Sequence, residues 1–140
     1  MINKNELMIG DIFEIKLNDK TLKVEILKIG NKQVDVSLLD LDNKEGVCLI
    51  DSLIPQKLDD NMLINDYKFQ NRNLKINGET INDIFKMIGD YFISLVKNGE
   101  KYSLSIKSIN GENICDSYNI EHLHTLQNII KSNIKLEINT

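Results

Sequence analysis

The chain has few or no residues of several types, and these shortages exclude some classes of structure and site. Its 140 residues include no Trp, no Ala, one Pro, one Arg and two Cys. Cys48 and Cys115 are too few for a disulfide framework and have no His or Cys at metal-ligand spacing, so we expect reduced, partly buried thiols. No uncharged apolar run reaches the roughly 20 residues that a membrane helix needs, so we expect no membrane-spanning helix.

Neither sign of charge dominates strongly, and the balance is acidic. The formal net charge is -4, with 41% hydrophobic and 27% charged residues, which is typical of a globular domain. Because nucleic-acid binding depends on a basic surface, this balance argues against a generic nucleic-acid ligand and favours protein or small-molecule partners. The opening Met-Ile-Asn-Lys-Asn-Glu lacks the order of a secretory signal, so a cytoplasmic location is expected.

Ile, Asn and Lys are abundant, and Lys outnumbers Arg sixteen to one. AT-rich coding DNA produces this bias, because the codons of these three residues are AT-rich while those of Ala, Arg and Pro are not. The bias therefore indicates a low-GC bacterium or its phage as the source.

Residues 1–54 have the alternation of short strands. Apolar and polar residues alternate in three stretches: Phe13–Leu17, Leu22–Ile26 and Val34–Leu38. The breaks between them contain Asn, Asp or Gly, which tolerate turn dihedrals, so the pattern predicts an antiparallel meander. A fourth strand over Val47–Ile50 would let this sheet curl into a small SH3-like barrel.

Pro55 marks a boundary, and helical patterns follow it. Asp59 or Asp60 is placed to cap a short helix over Met62–Ile64. Between Ile81 and Val96 the apolar residues keep helical spacing, which predicts an amphipathic helix with Gly89 inside it.

The last forty residues predict a hairpin, a helix and a strand. Alternation on both sides of Asn110-Gly111 predicts a hairpin over Tyr102–Tyr118. Asn119 is the predicted cap of a second helix, and the alternation over 134–138 suits an edge strand.

Together these elements predict an α+β fold in one domain spanning residues 1–140. Residues 1–54 form its mainly β part, a small antiparallel SH3-like barrel or curled sheet. Residues 55–140 form an α+β part, two helices on an antiparallel hairpin and sheet, which packs against the first.

No stretch carries a catalytic signature. His122 and His124 are two residues apart on a predicted helix, so they face different directions and are wrongly spaced to share a metal. Neither a nucleophile elbow nor a Gly-rich phosphate loop is present. We therefore expect no catalytic residue, no metal, no cofactor and no enzymatic activity.

Two polar groups are candidates for contact with a partner. The predicted last helix carries His124, Gln127, Asn128 and Lys131. A loop in the first half carries Asp40, Asp42 and Glu45. A solvated helix surface and a solvated turn explain the same residues. The amides of Gln127 and Asn128 suit either a buried backbone group or a partner.

Three short segments carry a resemblance to a known group of proteins. The chain opens with Ile9-Gly10-Asp11, has Leu53-Ile54-Pro55 before a short predicted helix, and closes with His124-Thr125-Leu126-Gln127-Asn128. It resembles small uncharacterised accessory proteins of Bacteroidetes and their phages, which have an N-terminal Ile-Gly-Asn/Asp strand and a C-terminal His-x-Leu-Gln-Asn helix. It departs from them in lacking Trp after Gly10. The resemblance implies a phage or mobile-element setting and no mechanism.

These observations favour a non-catalytic binding protein that docks on a host or phage protein and inhibits it, as an anti-CRISPR protein inhibits a host defence effector. Neither a membrane nor generic nucleic acid is expected as a partner. The alternative is a module that sequesters a nucleotide signal or nucleic acid. Its weakly clustered candidate residues are Lys16, Lys23, Lys28, Tyr102 and Tyr118. The oligomeric state is left open.

Overall fold

The computed structural model describes residues 2–140, of which strands make up about half. Nine strands and one α-helix follow one another along the chain. They are β1 (Ile12–Leu17), β2 (Lys20–Ile29), β3 (Gln33–Leu38), β4 (Lys44–Leu49), β5 (Gln70–Ile76), β6 (Glu79–Ile88), β7 (Tyr91–Asn98), β8 (Lys101–Ser108), β9 (Asn113–Ile120) and α1 (Leu123–Ile134).

The chain divides into two compact units. The first comprises the chain up to Lys57 together with His122–Asn128, and the second comprises Leu58–Glu121 and Ile129–Thr140. Helix α1 thus contributes its first half to one unit and its second half to the other. In residues 2–140 no helix combines the length and apolar character that crossing a membrane requires.

The first unit contains a four-stranded antiparallel meander in the order β1-β2-β3-β4. Its strands confirm the predicted alternation, because the inward positions are buried: Phe13, Ile15, Val24, Ile26, Val34 and Val36. The backbone of Ile54 exchanges two hydrogen bonds with Glu14 on the outer edge of β1, at 2.8 and 2.9 Å. β4 is the opposite edge, so the strands form an open sheet and the predicted barrel closure is not formed.

The second unit contains a five-stranded antiparallel meander in the order β5-β6-β7-β8-β9. The predicted hairpin around Asn110-Gly111 is confirmed as β8 and β9. One face of this sheet is buried, with Ile84, Ile88, Ile93, Leu95, Tyr102, Leu104 and Ile106 inside. On that face the Tyr102 hydroxyl donates to an oxygen of Asp60, and Lys86 Nζ donates to the carbonyl of Ile138 at 2.6 Å.

The predicted helix over Ile81–Val96 is wrong. This segment forms β6 and β7, which pair antiparallel around a turn at Gly89-Asp90. Both faces of these strands carry apolar side chains, so the apolar positions fall at helical spacing without a helix. Because the long helix is absent, the α+β prediction is also wrong, and the fold is mostly β with one C-terminal helix.

The chain after β9 also differs from its prediction. Asn119 has φ 60° inside β9 and does not cap a helix, since α1 begins at Leu123. The helix ends at Ile134, and no strand forms over 134–138, although Ile138 is buried. The short helix predicted after Pro55 is present as a π-helical turn over Met62–Asp66. Asp59 caps its start, because its Oδ1 accepts from the N–H of Met62 at 2.7 Å.

A substitution at Gly89 tests the β6–β7 hairpin, which is present in place of the predicted helix. Its φ is 58°, and a Cβ atom there would lie 2.8 Å from Leu136 Cδ1. We expect Gly89→Ala to lower the free energy of unfolding by about 1–2 kcal/mol, because a left-handed backbone disfavours a side chain. Urea denaturation measures this change. Gly46→Ala is the control, since its Cβ would meet Leu38 at an ordinary 3.7 Å. Equal losses for both variants would contradict the expectation.

Candidate functional site

Gln127 is the most tightly held of the residues predicted to contact a partner. Its side chain is buried, its Oε1 accepts from the N–H of Ile12 at 3.0 Å, and its Nε2 donates to the carbonyl of Gly10 at 3.3 Å. Both amide atoms thus bond to backbone just before and at the start of β1. This arrangement fixes the first half of α1 to the segment that leads into β1.

Asn128 makes a second connection to the same segment. Its Nδ2 donates to the carbonyl of Glu6 at 2.7 Å and to Oδ2 of Asp11 at 3.0 Å. Asp11 is itself buried and also accepts from the N–H of Met8 at 2.9 Å. The carboxylate therefore joins the helix to the loop before β1. The amides perform the backbone-satisfying role that the sequence left open.

His124 lies beside these amides and is buried, with 4% of its surface exposed. Its ring centroid is 4.8 Å from that of Phe13 and 5.8 Å from that of His122. Burial, helped by the charge of His122, lowers the pKa of His124, while Glu6 at 3.9 Å acts in the opposite direction. Within residues 2–140 its Nδ1 has no hydrogen-bond partner. Burial therefore favours the neutral imidazole over the charged form in this position.

The remaining predicted contact residues are on the surface. Lys131, on the half of α1 that belongs to the second unit, pairs with Glu137 at 3.2 Å. In the first unit Asp40 accepts from the N–H of Lys23 at 2.9 Å, and Asp42 has a left-handed backbone in the loop before β4. Glu45 is exposed on β4 itself. Glu45 therefore lies on the free edge of the first sheet, whereas Asp40 lies against β2.

The backbone of β4 presents an open hydrogen-bonding edge. The N–H of Ile50 donates to the carbonyl of Lys32 at 2.9 Å, so the even-numbered residues bond to β3. In an antiparallel ladder the alternate residues direct both N–H and C=O away from the neighbouring strand. Glu45, Val47 and Leu49 therefore point these groups outward. No strand among residues 2–140 pairs with them.

The side chains of the same three residues are also exposed. Val47 and Leu49 expose 62% and 57% of their surface, which is unusual for two neighbouring apolar side chains on one strand face. The sequence places Val47 in a strand but assigns its side chain no role. The signal was present, because Gly46 and Cys48 occupy the alternate positions that face inward. We call Glu45, Val47 and Leu49 the edge triad.

A shallow depression of about 420 Å³ lies beside the edge triad on the first unit. It is lined by Lys28, Gly30, Asn31, Lys32, Gln33 and Asp35. Asp35 pairs with Val47 and Gln33 with Leu49, so the depression shares the outer face of the sheet with the triad.

The other side chains that could serve in catalysis or ligand binding include a cysteine and two tyrosines. Burial raises the pKa of Cys48 more than its hydrogen bond to Ser52 lowers it, which disfavours the nucleophilic thiolate. Tyr102, a candidate for nucleotide binding, is fully buried, and burial together with Asp60 raises the pKa of its hydroxyl. Tyr118, from the same set, is exposed. In the described part of the chain, no three His, Cys, Asp or Glu side chains are grouped to hold a metal ion.

Comparisons with known proteins add no relative. No family model, no curated protein sequence and no solved structure matches the chain. The geometry of the first unit is therefore the basis on which a function is proposed.

Proposed function

We propose that the protein is a non-catalytic binding protein that adds an extended segment of a partner protein to the free edge of β4. The observation that carries this proposal is the edge triad, in which outward backbone groups and exposed apolar side chains occur on the same residues. Peptide binding by strand addition uses both, since main-chain hydrogen bonds supply affinity and alternate side chains supply specificity.

The triad also indicates the chemistry of the partner segment. Glu45, together with Asp42 in the loop that precedes β4, favours a Lys or Arg at one end of the added strand. Val47 and Leu49 favour apolar residues at the next alternate positions, about 7 Å apart along the strand. We therefore expect the partner segment to have the residue pattern basic-x-apolar-x-apolar, or the reverse pattern if it pairs with β4 in the opposite direction.

The resemblance to phage and mobile-element accessory proteins supports a host protein as the source of this segment. In that setting the protein occupies the segment in the cytoplasm and so inhibits a host component, such as a defence effector. A low-GC bacterium is the appropriate host, because the codon bias of the chain indicates that source.

The test uses Val47→Thr combined with Leu49→Thr. Threonine keeps strand propensity and removes most of the apolar contact. We expect partner affinity to fall at least tenfold, because burying each apolar side chain contributes about 1.5–3 kcal/mol. Capture from host lysate identifies the partner, and calorimetry with a synthetic partner segment measures the affinity. Hydrogen exchange should show new protection at the amides of Glu45, Val47 and Leu49.

Two further variants sharpen this test. Val47→Pro removes an outward N–H without touching the bonds to β3, and should weaken binding while the sheet still forms. Ile76→Thr is the matched control, because Ile76 is 50% exposed on β5, an edge strand of the other sheet. Binding unchanged in the double variant, or exchange protection confined to other strands, would refute strand addition at β4.

A further inference from the structure

The outer face of the second sheet holds a stacked group around Arg72. The guanidinium carbon of Arg72 lies 4.6 Å from the ring centroid of Phe85 and 5.3 Å from that of Phe92. The two rings stack on each other with centroids 5.5 Å apart. Arg72 Nε donates to Oδ2 of Asp83 at 2.7 Å, and Ser94 Oγ donates to the other carboxylate oxygen. The guanidinium is thus fixed from below by two rings and from one side by a carboxylate.

These contacts leave the terminal nitrogens of the Arg72 guanidinium accessible. The hydrogen bond to Asp83 uses Nε, and in the described part of the chain Nη1 and Nη2 have no hydrogen-bond partner. The Arg72 side chain is 43% exposed, while Asp83 beside it is 1% exposed. A guanidinium held in one orientation with its terminal nitrogens exposed suits bidentate binding of an oxyanion. Little side-chain entropy remains to be lost on binding.

The surroundings favour a carboxylate over a nucleic-acid phosphate chain. Residues that pair across strands share a face, so Lys107 and Asp116 lie on the same outer face as Phe92 and Ser94. With Asp83 beside Arg72, these two basic and two acidic side chains balance, whereas a phosphate chain is bound by a continuous basic groove. Met87, which pairs with Phe92, exposes 47% of its surface and adds an apolar neighbour.

We propose that Arg72, Phe85 and Phe92 form the centre of a second protein-binding site, which receives an Asp or Glu side chain of an extended acidic peptide segment. The Nη groups bond the carboxylate, and an apolar residue next to it packs on Phe92 and Met87. Arg and aromatic residues at the centre of an interface carry much of its binding energy. This site uses other residues than the edge triad and prefers a partner of opposite charge, so the two proposals can be tested independently.

The test begins with a phage-displayed library of random dodecapeptides selected on the wild-type protein. Peptides are sorted by loss of binding to Arg72→Lys, which keeps the charge beside Asp83 and removes the fork. We expect the peptides lost in this way to contain Asp or Glu beside an apolar residue, and to bind the wild type at least tenfold more tightly than Arg72→Lys. Replacing the acid in the peptide by its amide should cause a similar loss.

Direct contact is tested by NMR, because Arg72 is the single arginine and gives one set of guanidinium signals. Binding should shift these signals and the amides of Phe85 and Phe92. Lys75→Gln is the control, since Lys75 lies on β5 and faces the opposite side. Selected peptides without an acid, equal binding by the amide peptide, or tighter binding of oligo(dT)12 that shifts the same signals would each overturn the proposal.

Discussion

Leu126→Ala is expected to lower the free energy of unfolding by about 2–5 kcal/mol, the range found when a buried Leu is truncated. Leu126 has no exposed surface, and it directly precedes Gln127 and Asn128, whose amides hold the first half of α1 to the segment before β1. The truncation leaves a cavity in the buried core where the Leu126 side chain was. Urea denaturation followed by circular dichroism measures the loss.

A matched substitution separates burial from residue type. Leu17 exposes 48% of its surface at the end of β1, so Leu17→Ala should change the unfolding free energy by only about 0.5 kcal/mol. If the two Leu→Ala variants lose similar stability, Leu126 is not a core residue.

Stability is expected to fall as the pH is lowered from about 7.5 to 5. Burial lowers the pKa of His124 in the folded protein below the ordinary value of about 6.5 that the unfolded chain retains. Below this value the unfolded chain binds a proton that the folded chain does not, so acid favours unfolding. The stabilising effect is complete above about pH 6.5 and is lost toward the folded pKa, with a slope of at most about 1.4 kcal/mol per pH unit.

Two histidine variants test the source of this pH dependence. His124→Gln should flatten the dependence between pH 7.5 and 5, because it removes the buried group. His122→Gln should keep most of it, since burial is the larger cause and the charge of His122 the smaller. Denaturation midpoints measured across this range give the comparison. A dependence that persists unchanged in His124→Gln would assign it to another group.

The sequence predicts strands well where one face is buried and the other is solvated. β1, β2 and β3 have this pattern, and their inward positions Phe13, Val24 and Val36 are all buried. The β8–β9 hairpin was predictable for the same reason, together with its Asn110-Gly111 turn. In these regions local alternation and turn chemistry agree with the final fold.

Prediction failed where both faces of a hairpin are apolar. Ile84 and Ile88 are buried on one face of β6, while Phe85 lies on the other against Arg72. Two-sided strands lose the period of two, and the neighbouring apolar pairs then imitate helical spacing. Gly89-Asp90 is the signal for a turn in this segment, but its position among apolar residues at helical spacing predicts the interior of a helix.

The candidate site was predictable in its residues but not in its contacts. The chain indicates His124, Gln127 and Asn128 as a polar group, yet the hydrogen bonds of Gln127 and Asn128 join residues more than 110 positions apart. No local pattern encodes such a contact. The edge triad was missed for a different reason, because its exposure depends on β4 being the last strand of an open sheet.

The left-handed turns of this fold limit how its composition can evolve. Among non-glycine residues with positive φ are Asn18, Asp19, Asp42, Asn43, Asn77 and Asn119. After Gly, Asn and Asp are the residues that adopt this conformation most readily. A genome rich in Asn codons therefore supplies tight turns without extra glycine. If the coding DNA drifted toward GC, replacement of these residues by Ala or Arg would be opposed by backbone conformation, even where the side chain touches nothing.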